Sequence, residues 1–180
     1  IFTELRLPVT IMGRRGHQAI IGSWSSRTYA SLDQTGRIDF PDIPIASKDG
    51  SWALCWNADQ FLWQDPCDDS RGWGVFGRAG ISDGNPNPIE WFLSLGLGGT
   101  SPICGRENDS FGAGWYYVGL SDELGQIANV LLQTRDETGV ELYYKAAVNP
   151  WFEVTADVQV TEPAIRRDAT TALVAGIRAN

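Results

Sequence analysis

Charged and polar residues recur at every second position over Val140–Thr161, and this spacing sets the chemistry open to the chain. Because side chains alternate between the two faces of a β-strand, these residues share one face. Their carboxylates, hydroxyls, amide and ammonium group can hydrogen-bond a polar solute or order water. The set comprises Glu141, Tyr143, Lys145, Glu153, Thr155, Asp157 and Gln159.

The intervening positions of this stretch are aliphatic or aromatic, so it predicts two amphipathic strands joined at Asn149-Pro150 as a hairpin. Two architectures produce this pattern. A soluble sandwich turns the apolar face toward a core, whereas a transmembrane barrel turns it toward lipid and the polar face toward a wet lumen.

Catalytic and metal-binding chemistry has little support in the sequence. His17 is the single histidine, and Cys55, Cys67 and Cys104 include no CxxC pair, so neither zinc nor any other metal or cofactor is predicted. A glycosidase pair cannot be recognised among the many carboxylates without distances. The chain is therefore predicted not to be an enzyme.

Charge and hydropathy exclude two further classes. The net charge is -8 and there is no Lys/Arg-rich run, which argues against a nucleic-acid partner. A mean hydropathy of -0.18, without a long apolar run, excludes a helical membrane protein. The 8 Trp and 20 Gly are typical of a membrane barrel with aromatic girdles or of a carbohydrate-binding β-domain.

Alternation along the chain predicts about nine antiparallel strands, with a short helix in the loop 121–138. Short turns are expected at 10–16, 64–72 and 149–150, and longer loops at 33–50, 121–138 and 162–169. Short and long connections then alternate along the chain, except at 84–88 and 98–110. Alternating short turns and long loops favour an outer-membrane barrel. The chain begins at Ile1 and stops at Asn180 after a strand, so we interpret it as a piece of something longer or as a processed product.

Several segments resemble the OprB family of carbohydrate-selective porins, in collinear order over most of the chain. They are Trp73–Asp83 with Asn87-Pro88, Gly105–Asp109 leading into Phe111-Gly112, Glu141–Tyr144, Trp151–Pro163 and Ala175–Arg178. The resemblance implies an all-β, antiparallel, sixteen-stranded transmembrane barrel in the outer membrane of a Gram-negative bacterium, which passes small sugars by diffusion.

Residues 1–180 would be the C-terminal portion of this single barrel domain. That family ends in an aromatic residue, so Asn180 implies that a few residues are missing. The predicted partners are saccharides and outer-membrane lipid, and neither the sugar nor the oligomeric state is assigned.

Residues lining the channel can be chosen by parity. The wider set is Glu4, Arg6, Asn57, Asp59, Arg78, Glu90, Trp115, Tyr117, Glu141, Tyr143, Lys145, Glu153, Asp157, Gln159 and Arg178. The narrower prediction for the substrate path is Arg78, Glu141, Lys145, Asp157 and Arg178.

Arg106 and Asp109 are expected to form an ion pair that fixes a turn. Cys67 and Cys104 fall in turns on the same side, so we hypothesise a disulfide between them.

The alternative function is a soluble, Trp-rich β-sandwich that binds glycans without transport. The two architectures differ in the direction of Trp52, Trp56, Trp91 and Leu93, which point outward into lipid in a barrel and inward into a closed core in a sandwich.

Overall fold

The computed structural model describes residues 1–34, 42–124, 134–165 and 171–180. Alternating apolar and polar residues form long strands, separated by segments rich in Gly, Pro and Asp. The strands are β1 (Phe2–Ile11), β2 (Arg14–Ala30), β3 (Ser47–Gln64), β4 (Gly72–Ser82), β5 (Ile89–Thr100), β6 (Ser110–Leu120), β7 (Glu137–Asn149), β8 (Phe152–Glu162) and β9 (Ala172–Ala179). These confirm the predicted strands.

All nine strands belong to one sheet, in which each strand pairs with the next one along the chain. Every pairing is antiparallel. Within the described part of the chain, β1 and β9 each have one paired neighbour, so the sheet is open at these two strands.

Burial across this sheet is reversed relative to a soluble domain. Along β8, Val158 and Val160 are exposed, whereas Asp157 and Gln159 between them are half-buried. Large apolar side chains elsewhere are also exposed, including Leu142 at 61% and Ile177 at 83%. Among the described residues, the side chain that is fully buried is the polar one of Asp109. A sandwich folded from these residues would bury its apolar face, so the described part of the chain does not form a closed apolar core by itself.

The connections separate into two ends of the sheet. The β1–β2, β3–β4, β5–β6 and β7–β8 connections lie at one end, which we call the short-turn end, and the others lie at the long-loop end. Met12 and Gly13 both have positive φ, at 52° and 74°, as the two-residue turn between β1 and β2 requires.

The β5–β6 connection is longer than its neighbours at the short-turn end, and Asp109 fixes it. The carboxylate of Asp109 accepts hydrogen bonds from Tyr144 Oη at 2.5 Å and from the Ala147 backbone N–H at 2.8 Å. The predicted ion pair is present, with Arg106 Nε 3.1 Å from Asp109 Oδ2.

These contacts change the acidity of Asp109. The hydrogen bond from Tyr144 lowers the pKa of the Asp109 carboxyl most, and the Ala147 N–H and Arg106 lower it further against the opposing effect of burial. The carboxylate is therefore ionised at neutral pH and joins this connection to β7.

Two other predictions have different outcomes. Cys55, Cys67 and Cys104 are all free thiols, so the disulfide predicted between Cys67 and Cys104 is wrong. Lying at the same end of a sheet does not by itself bring two cysteines within bonding distance.

Most of the short helix predicted within 121–138 lies outside the described residues, although 122–124 are helical and Thr134 forms an isolated bridge with Ile165. In the described ranges, no helix has the length and apolar character needed to cross a membrane.

Candidate functional site

Register brings the predicted site residues onto one face of the sheet. Directly paired residues of antiparallel strands point to the same side, so each row of pairs can be followed from strand to strand. One row runs through Asn57, Arg78 and Tyr116, and the next runs through Asp59, Glu141 and Gln159. We call this side the polar face.

The remaining predicted residues extend the polar face toward the short-turn end. Tyr143 pairs with Asp157, and Lys145 pairs with Thr155, which in turn pairs with Arg178. Arg78, Glu141, Lys145, Asp157 and Arg178 therefore lie on a common face, although they come from four strands.

The charges on this face differ in how they are partnered. Lys145 Nζ donates to both carboxylate oxygens of Glu153, each at 3.1 Å. No hydrogen bond or ion pair engages the side chains of Arg78, Glu141, Asp157 and Arg178 within the described ranges. Their donors and acceptors are available to solvent or to a solute.

A polar cavity of about 390 Å³ lies on this face over β1–β4. Its lining includes Arg6 beside Glu4, Arg78, and an imidazole–carboxylate pair in which His17 Nδ1 lies 3.0 Å from Asp59 Oδ2. Cations and anions therefore alternate over a short distance, which suits a solute with many hydroxyl groups and no net charge.

Two of the fifteen lumen predictions are wrong about the face. Trp115 pairs with Leu95 and Tyr117 with Leu93, so both belong to the apolar side. The Tyr117 ring stacks on Trp91 with centroids 4.8 Å apart and planes inclined by 10°. Aromatic residues occupy both odd and even positions of β6, so the alternation of residue types did not distinguish its polar face from its apolar face. Only the register with the neighbouring strands does so.

Glu90 does not belong to a register row, because it lies at the irregularity between Ile89 and Trp91. Phe76, Phe92 and Tyr116 also lie on the polar face, although they were not among the predicted lumen residues. The signal that could have found them is the set of glycines opposite or beside these rings in the paired strands.

The opposite side, which we call the apolar face, carries aliphatic residues together with Trp56 and Trp115 in its middle, and pairs of tryptophans toward both ends. Trp24 pairs with Trp52 near the long-loop end, and Trp63 pairs with Trp73 near the short-turn end. Trp151, in the β7–β8 turn, is 80% exposed. An exposed apolar band flanked by aromatic residues matches a bilayer with its two interfaces.

An antiparallel sheet with an exposed apolar band on one face and unpaired charges on the other is the wall of a membrane-spanning β-barrel of the porin class. Comparison with known proteins agrees. The profile of the family described as "Carbohydrate-selective porin, OprB family" matches residues 12–180, and the chain belongs to that family.

Individual relatives match only in part of their length. Porin B of Pseudomonas aeruginosa is 27% identical over 148 residues, which cover 73% of this chain and 32% of that protein. The high-pH structure of Pseudomonas putida OprB superimposes with a TM-score of 0.86 and 20% identity, covering 99% of this chain and 47% of that one. The chain therefore spans between a third and a half of the length of these relatives.

Proposed function

We propose that the chain forms part of the wall of an outer-membrane channel through which small sugars diffuse passively. The observation that carries this proposal is the reversed burial of the sheet, with exposed Val158 and Ile177 on one face and unpaired Arg78 and Asp157 on the other. A sheet with lipid on one side and water on the other stabilises that arrangement. Family membership places the chain in the outer membrane of a Gram-negative bacterium.

We assign the substrate path to Arg78, Glu141, Lys145, Asp157 and Arg178. Guanidinium and ammonium groups donate hydrogen bonds, carboxylates accept them, and sugar hydroxyls do both. A wall that alternates these groups can exchange hydrogen bonds with a sugar while its water shell is being replaced. Transit then requires no covalent step, and the proposed activity is that of a non-enzymatic channel.

The sandwich alternative is disfavoured by the same burial pattern. A soluble glycan-binding sandwich would have to hide Leu142, Trp24 and Trp52, which are all more than 40% exposed.

Thiol accessibility tests the assignment of the wall residues directly. In the full-length parent protein, with native cysteines replaced by serine, each of the five residues is changed to cysteine. A membrane-impermeant, negatively charged thiol reagent is then added to single pores in a planar bilayer. Each of these cysteines should react with a stepwise change in conductance, because the added group enters the water-filled path.

Matched controls come from adjacent outward positions on the same strands. Cysteines there should be protected by lipid and leave the conductance unchanged; suitable positions are Ala79, Leu142, Ala146, Val158 and Ile177. Reaction at the outward set with none at the five wall positions would reverse the assignment of the two faces.

A further inference from the structure

A block of four glycines interrupts the polar face at its centre. Two register rows cross β5 and β6 at positions that have no side chain at all. In one row Gly96 pairs with Gly114, and in the next Gly98 pairs with Gly112. We call these four residues the glycine block. The missing side chains leave room for neighbouring rings, and for a solute above them, to lie close to the wall.

Aromatic rings reach onto the glycine block from the two strands that flank it. A Cβ added at Gly96 would lie within 2.7 Å of Phe76 Cε1, and one added at Gly112 would lie within 2.9 Å of Tyr143 Cζ. Each ring therefore lies across a glycine of the neighbouring strand. Phe76 comes from β4 and Tyr143 from β7, so the two rings approach from opposite sides.

These rings turn one side to the backbone and leave the other side open. Phe76 is 41% exposed, and Tyr143 is half-buried. The hydroxyl of Tyr143 has no hydrogen-bond partner in the described part of the chain. Gly96 and Gly112 are diagonal neighbours, which in an antiparallel pair lie roughly 7–8 Å apart. Two ring surfaces are thus available within the reach of one small solute.

Unpaired charges lie next to the two rings. Arg78 is the next polar-face residue along β4 from Phe76, and Asp157 pairs directly with Tyr143. The Asp157 carboxylate leans toward β9, where a Cβ added at Gly176 would lie 2.7 Å from its Oδ1.

We propose that the glycine block, with the rings of Phe76 and Tyr143 across it, is a binding subsite for the C–H face of a pyranose ring, and that Arg78 and Asp157 bind the hydroxyls at its edge. This subsite rests on the proposed channel function and gives it a chemical preference. An aromatic ring offers an apolar surface with a negative face, which the flat C–H face of a cyclic sugar complements and a flexible linear polyol does not. Diffusion through the channel would then saturate with cyclic sugars.

Leucine substitutions distinguish binding of sugar by the aromatic ring faces from simple covering of the glycine backbone by apolar side chains. In the full-length parent, the double variant Phe76→Leu, Tyr143→Leu keeps apolar bulk over the glycines but removes both ring faces. Single-channel current is measured in planar bilayers while glucose or the linear hexitol sorbitol is titrated. We expect the double variant to weaken block by glucose about tenfold and to leave block by sorbitol unchanged.

Val75→Leu and Leu142→Val are matched controls on the outward face of the same strands. Glucose should block these variants as strongly as it blocks the unmodified pore. Equal glucose block in the double variant and the unmodified pore would overturn the subsite and leave the channel function intact. Equal weakening for glucose and sorbitol would also overturn it, because a change in pore width would explain both. Absence of any sugar block in the unmodified pore would overturn the proposed function itself.

Discussion

Replacing Asp109 by asparagine should destabilise the sheet at its short-turn end by about 2 kcal/mol. The asparagine amide keeps one carbonyl oxygen for the Ala147 N–H, but its NH₂ group cannot accept from Tyr144 or Arg106. A hydrogen bond to a charged group contributes about 1.5–3 kcal/mol. We use the lower part of this range, because asparagine keeps an acceptor for the Ala147 N–H. The Arg106 pair adds less, since that side chain is 48% exposed.

The free energy of unfolding of the full-length parent, measured by urea titration in lipid bilayers, tests this value. Tyr144→Phe should cost about 1.5 kcal/mol, and Arg106→Ala less than about 1 kcal/mol. The reasoning fails if Asp109→Asn lies within about 0.5 kcal/mol of the unmodified protein, or if Arg106→Ala costs more than Tyr144→Phe.

The pH dependence of this difference has a definite sign. The folded-state pKa of Asp109 is lowered, so its contribution is fully present above the unfolded-state pKa of about 3.9 and is lost as the pH falls through the lower folded value. The difference between the unmodified protein and Asp109→Asn should therefore be constant from neutral pH to about 4 and shrink below it.

Three further predictions address the two faces and the long-loop end. Val158→Lys should lower the free energy of unfolding in bilayers by about 2–4 kcal/mol, whereas Gln159→Lys on the adjacent polar-face position should change it little; equal costs would contradict the assignment of faces. Gly112→Ala must displace the Tyr143 ring and should weaken glucose block about fivefold, while Gly22→Ala, where an added Cβ meets nothing within 4 Å, should have no effect on block. Asn85→Ala removes the acceptor for the Leu32 N–H at 3.0 Å and the donor to Ser31 Oγ at 2.8 Å and to Glu123. Because these hydrogen bonds join three connections, the variant should show more open-channel current noise at unchanged mean conductance. Unaltered noise would show that this junction does not steady the loops.

Alternation was sufficient to predict the strands, because every strand faces two different media. Val154, Val158 and Val160 alternate with polar residues along all of β8, and the observed strand agrees with the pattern. The prediction of β3 was less accurate, since the strand begins at Ser47 rather than Ser51. Residues 47–50 have no apolar alternation, and they are extended because they continue the pairing with β2 beyond a bulge.

Assigning residues to the polar face required the register between strands, and the alternation within one strand does not give that register. The polar rows of β7 and β8 were predicted correctly as sharing a face because they are joined by a tight hairpin. Trp115 and Tyr117 were assigned to the wrong face, because β6 carries aromatic residues at both parities. The contacts of Asp109 with Tyr144 and Ala147 could not be predicted either, since they join residues 35 and 38 positions apart in the chain.

Sugar titration of single-channel current in the full-length parent tests the central claim most directly. We expect steady pores in planar bilayers whose current falls and saturates as a neutral sugar is added, because the sugar occupies the path lined by the polar face. Pores whose current does not respond to any sugar would contradict carbohydrate selectivity. A protein that forms no pores and stays soluble without detergent would contradict the assignment of the apolar face to lipid.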